Sequence, residues 1–172
     1  MTPRILVAGI GNVFSGDDGF GVEVARRLLA QPRPENVKVA DFGIRGIHLV
    51  FELLSPLDLL VVVDACPRGG TPGTLYEIEP DVDEVGSDVQ GDAHGMDLPS
   101  VFARVRAMGG GLPRVLLVGC EPADIEDGMG LSALVEAALD PALALVQDIV
   151  KRELRAMVAR DAAQDAAKES TT

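Results

Sequence analysis

The sequence predicts a three-layer α/β/α domain around a mostly parallel sheet. Two patterns predict it: short, continuous apolar runs of strand length, and segments of helical period between them. A third observation sets the organisation. The 172 residues contain neither an internal repeat nor a linker, so one domain over residues 1–160 is expected, with a frayed tail at 161–172.

Each element has its own signature. Ile5-Leu-Val-Ala8 is an apolar run closed by Gly9 and Gly11, the pattern of a strand buried on both faces. From Gly19 to Ala30, Phe20, Val24 and Leu28 recur at helical spacing, until Pro32 and Pro34 end the helix. Val37–Ala40 predicts a second strand and Ile47–Leu54 a short helix stopped near Pro56. Leu59-Leu-Val-Val-Val63 is the strongest strand signal, and Thr74–Ile78 reads as a weaker edge strand. Residues 80–95 are acidic and without period, so a long loop is expected there. Leu98–Met108 predicts a helix, Val115–Val118 a buried strand, and Leu131–Arg160 a long helix that Pro141 kinks or divides.

Composition narrows the function. Against 15 Lys and Arg stand 27 Asp and Glu, a net charge of −12, which excludes nucleic acid and anionic membrane as main partners. With five Phe, one Tyr and no Trp, the core must be aliphatic. No apolar run reaches the ~18 residues of a membrane helix, and the apolar stretch at the opening, Ile5 to Gly9, is too short for a signal peptide. Cys66 and Cys120 form no CxxC pair and are expected to fill the core of a reduced, cytoplasmic protein.

In open α/β sheets, ligands collect beyond the carboxyl ends of the strands. After the first strand comes Gly9-Ile-Gly11-Asn12, then Asp17-Asp18; after the second, Asp41-Phe-Gly43-Ile-Arg-Gly46; at the end of the third, Asp64-Ala-Cys66. His94 lies in the acidic loop. Gly9-x-Gly11 suggests a dinucleotide fingerprint, but the third glycine is misplaced and the Asp17-Asp18 pair would repel a pyrophosphate. Asp18, Asp64 and His94 instead offer the oxygen and nitrogen ligands a divalent metal accepts. Each also has a plainer reading. Asp17 serves as a helix N-cap, Asp18 favours the helix dipole, Asp41 holds its own turn, and His48 is a partly buried structural histidine, His94 an ordinary loop residue. Asp64 is the hardest to explain so, because a carboxylate ending an apolar strand is costly unless paired or liganded.

Taken in order, the motifs resemble those of the nickel–iron hydrogenase maturation endopeptidases. The match runs through Ile5-Leu-Val-Ala-Gly-Ile-Gly-Asn12, Asp17-Asp18-Gly-Phe-Gly21, Asp41-x-Gly43-x-x-Gly46, Val63-Asp64-Ala65, Pro72-Gly73-Thr74, His94, Gly119-Cys-Glu-Pro122 and Gly130-Leu-Ser132, covering about residues 4–155. The resemblance implies a twisted, mostly parallel five-stranded sheet. It also implies an enzyme that trims the C-terminal peptide from a hydrogenase large-subunit precursor after nickel insertion. On this reading Asp18, Asp64 and His94 contact nickel carried by the substrate, and the resting protein, a monomer, holds no tight metal of its own. Asp41, and with it Asp17, is the candidate for proton transfer. The family often has Glu where Asp18 stands. Phe42 and Arg45 depart from the family's smaller turn residues and are expected to face the large subunit.

Two other functions fit the same residues. A nickel-sensing chaperone would bind the precursor without shortening it, and a nucleotide-binding domain would need affinity for NAD or ATP.

Overall fold

The computed structural model describes residues 4–83 and 97–169. Its central sheet has five strands: β1 (Ile5–Ile10), β2 (Val37–Gly43), β3 (Leu59–Ala65), β4 (Leu75–Ile78) and β5 (Arg114–Cys120). They lie in the order β2-β1-β3-β5-β4. The first four neighbours in that row run parallel, and β4 alone is antiparallel, against β5.

The runs read as buried strands are buried. All six residues of β1 and the first five of β3 are shielded from solvent, as parallel strands covered on both faces must be. No residue of β4 is fully buried, and Glu77 is exposed, as at an edge. Helices α1 (Phe20–Leu29), α4 (Ala133–Ala137) and α5 (Leu139–Glu169) pack on one face, around Phe20, Val61 and Ile149. Helices α2 (Gly46–Leu53) and α3 (Leu98–Ala107) cover the other, around Leu60, Leu49 and Phe102. At about 25 cal/mol per Å² of apolar surface removed from water, these aliphatic layers are the main source of stability.

Three expectations change. The long C-terminal helix is divided, as Pro141 allows, but the break falls at Ala138 and leaves Pro141 in the first turn of α5. A proline there loses no hydrogen bond, since first-turn N–H groups have no intrahelical acceptor. The tail expected to fray from residue 161 continues as helix through Glu169, because Ala, Gln and Lys are strong helix formers. His48 is exposed on α2.

Between β1 and β3 the chain order changes direction. β1 leads to β2 on one side, while β3 lies on the other. At such a switch point the loops leaving neighbouring strands diverge and open a crevice at their carboxyl ends. At Gly21, helix α1 comes against the backbone of the sheet beside it. A Cβ at Gly21 would stand 2.0 Å from the Val63 carbonyl oxygen, so only glycine permits that approach.

Candidate active site

The crevice between β1 and β3 holds two of the three expected metal contacts. Asp18 follows β1 in a single 3-10 turn, Gly16–Gly19, and its Oδ2 accepts the Asn12 N–H at 2.8 Å. Asp64 ends β3 opposite Gly119 of β5. Gly11 separates the two carboxylates. Its φ of +131° belongs to glycine, and a Cβ there would stand 1.9 Å from the Asp18 carbonyl oxygen and 3.7 Å from Asp64 Oδ1.

Burial first, and the nearby charge of Asp18 second, push the Asp64 carboxyl up to about 8; the Ala65 N–H offsets only part of this. A cation placed between the two acids would relieve both causes. His94, the third expected contact, lies outside the described residues. Among the described residues, no group of three or more His, Cys, Asp or Glu side chains is arranged to hold a metal ion.

Asp41, near the end of β2, stands level with Gly9 of β1. Its Oδ2 accepts from Arg26 Nε at 3.2 Å. The turn that follows approaches the crevice, with the Gly11 N–H donating to the Gly43 carbonyl at 3.0 Å.

Asp17 requires a correction. It neither caps α1 nor faces the crevice, and its carboxylate has a different task. Only 1% exposed, it accepts the Ser132 N–H and hydroxyl at 2.7 and 2.8 Å, and the N–H groups of Ala123 and Asp124 at 2.8 and 3.0 Å. Burial alone would raise its pKa, but these donors outweigh it and hold the carboxyl below the usual range. With both oxygens engaged, Asp17 ties the segment after β5 to the loop after β1. It does not offer itself for proton transfer.

Phe42 is corrected as well. It is 5% exposed and packs into the core beneath α2 and α3, because alternation along β2 turns it inward. Arg45 does reach the surface, where it donates back to the carbonyl oxygens of Phe42 and Asp41.

Glu121, part of the Gly119-Cys-Glu-Pro122 motif, receives no role from the sequence. It is buried, and accepts the N–H groups of Arg68 and Gly69 at 2.9 and 3.1 Å and the Tyr76 hydroxyl at 2.9 Å. Its carboxyl is held below the usual range despite burial, so an anion braces the loop beyond Asp64. The thiols are poor nucleophiles. Burial, with the Asp17 and Glu121 charges, pushes Cys120 up to about 11, and burial lifts Cys66 in spite of Arg68.

Comparison with known proteins identifies the family. The model of the family described as hydrogenase maturation protease matches residues 22–149. The chain belongs to the hydrogenase maturation protease family. Among family relatives, the hydrogenase expression/formation protein HupM of Azotobacter chroococcum is 39% identical over 148 residues, spanning 84% of this chain and 70% of that one. The putative hydrogenase maturation protease of Methanocaldococcus jannaschii is 32% identical, over 86% of this chain and 97% of its own. In solved structures, the hydrogenase maturating endopeptidase HybD from E. coli superposes with a TM-score of 0.75 at 29% identity, covering 87% of this chain and 93% of that one. Membership makes the chain a peptide hydrolase of hydrogenase maturation. No helix among the described residues is long and apolar enough to cross a membrane.

Proposed function

We propose that this maturation protease removes the C-terminal peptide of a nickel–iron hydrogenase large-subunit precursor once nickel has been inserted, working as a cytoplasmic monomer. The metal arrives with the substrate. Asp18, Asp64 and His94 touch it from the protease side, so that metal loading becomes a condition for cleavage. Two carboxylates and one imidazole leave coordination positions open, as an inspecting site requires.

The single observation that carries this reading is the Asp18–Asp64 pair, one of whose members is pushed up to about 8 by burial and by the other. Like charges brought together at a strand-end crevice favour an arriving cation. Beside that cation a water adds to the scissile carbonyl carbon. Asp41 accepts the proton that the water gives up and returns one to the departing amine. The raised thiols of Cys66 and Cys120 argue for water as the nucleophile.

Incubating the metal-free protein with nickel-loaded and with nickel-free precursor tests the proposal, read as precursor mass. Shortening of the loaded form alone is expected. Efficient shortening of the nickel-free form would overturn metal inspection, and binding without shortening would favour the chaperone.

A further inference from the structure

Asp41 is poorly explained as a support for the fold. Its Oδ1 is shut from solvent and has no hydrogen-bond partner among the described residues. A buried acceptor without a donor subtracts from stability, and in native proteins such groups mark strain or function. Something must therefore hold the carboxylate in place, and the hydrogen bond from Arg26 to its other oxygen, at 3.2 Å, is positioned to do so.

Arg26 is itself well placed to act as a fixed arm. It projects from α1 next to Ala25, which packs against Gly9 of β1. A Cβ at Gly9 would stand 2.3 Å from the Gly21 carbonyl oxygen and 2.5 Å from Ala25 Cβ. Helix and strand thus meet backbone to backbone, and the root of Arg26 is set by that contact. From there its guanidinium crosses to β2, where Asp41 stands level with the same Gly9. The free oxygen lies beside the Gly43 turn, which itself meets the Gly11 loop. A Cβ at Gly43 would stand 3.7 Å from Asp41 Oδ1 and 3.9 Å from the Gly11 carbonyl oxygen, and Gly11 borders Asp64.

We propose that Arg26 is a positioning residue for peptide cleavage: it holds Asp41 through Oδ2 so that Oδ1 keeps its orientation beside the Gly43 turn. The inference rests on the reading of Asp41 as the proton-carrying acid. Arg26 itself touches no reacting atom. Its side chain is 55% exposed, so the ion pair adds little to stability and its loss should not unfold the protein.

Precursor processing by R26A, R26K, D41N and the R26A/D41N double variant tests it, with thermal melts alongside. R26A is expected to lower kcat about tenfold with KM within about twofold, since misplacing a reacting group acts on the chemical step. Its melting temperature should match the wild type. R26K should recover kcat to within about threefold, because an ammonium can still reach the carboxylate. In the D41N background, R26A should cause no further loss, the signature of a residue acting through another. Wild-type kcat in R26A with D41N impaired would overturn the inference and leave the role of Asp41 standing. Losses that multiply in the double variant would do the same. Wild-type processing by D41N would remove both.

Discussion

Asp64 lies at the end of β3 within the field of Asp18, across the Gly11 turn, and the two carboxylates are not equivalent. Asp18 accepts the Asn12 N–H at 2.8 Å, whereas Asp64, half-buried and facing the charge of Asp18, has its carboxyl pushed up to about 8. At neutral pH Asp64 is therefore largely protonated, and removing its proton places a half-buried charge beside Asp18 that an arriving cation would compensate.

This arrangement makes the resting protein less stable as pH rises. Between the ordinary value of 3.8 and the folded value of about 8, the native state holds a proton that the unfolded chain has released. The Asp64 contribution is thus complete below about pH 4 and is lost as pH climbs through about 8. D64N should flatten that slope and stabilise the metal-free protein at pH 8, while abolishing processing. Urea melts across pH 5–9 check this; a variant whose profile parallels the wild type would refute it.

Asp17 has the opposite linkage. Despite burial, its carboxyl is held below 3.8 by Ser132, Asp124 and Ala123, so its contribution is present above that pH and fades as pH falls through the lowered folded value. Removing a buried acceptor leaves three backbone N–H groups without it. D17A should therefore cost about 3 kcal/mol, well beyond the ~1 kcal/mol of a lost helix cap. Denaturant melts at pH 7 decide between these sizes, and D17N should be less sensitive to acid than the wild type.

How far the sequence disclosed this molecule depends on the range of the interactions. The strands and helices are local, and Ile5–Ala8, Val37–Ala40, Leu59–Val63, Thr74–Ile78 and Val115–Val118 fall inside or within a residue of the observed strands, since apolar runs and glycine or proline stops encode them. Asp18 and Asp64 could be picked out because topology brings strand ends together. The role of Asp17 could not. Its partners Ala123, Asp124 and Ser132 lie 106, 107 and 115 residues away, and nothing local distinguishes such an aspartate from a cap. The direction of Phe42 was hidden for a related reason: the chain beyond Ala40 stays in the strand through Gly43, so alternation, not turn geometry, sets it.

Gly11 should tolerate no side chain. Its φ is +131°, and an added Cβ would stand 1.9 Å from the Asp18 carbonyl oxygen, so G11A combines backbone strain with a clash that displaces Asp18. A loss of about 2–4 kcal/mol is expected, with processing down at least about tenfold. Gly69 serves as the control. Its φ of +79° is also left-handed, but nothing lies within 4 Å of an added Cβ, so G69A should cost about 1 kcal/mol and leave processing intact. Melting temperatures and precursor mass for both variants separate strain alone from strain at the site.

Cation binding by the free protein should release a proton. At pH 7 Asp64 is mostly neutral, with its carboxyl at about 8, and a carboxylic acid ligates a divalent ion only after deprotonation. Cadmium or zinc titrated calorimetrically in two buffers of different ionisation enthalpy should report close to one proton released per ion at pH 7. The apparent affinity should rise about tenfold per pH unit up to about pH 8 and then level off. D64N should release none and bind at least about tenfold more weakly. D18N should also bind weakly, but with fewer protons released, because without the Asp18 charge one of the two causes that raise Asp64 is gone and more of Asp64 is ionised beforehand. Binding by the wild type without proton release would show that the ion sits elsewhere, and would detach Asp64 from the metal.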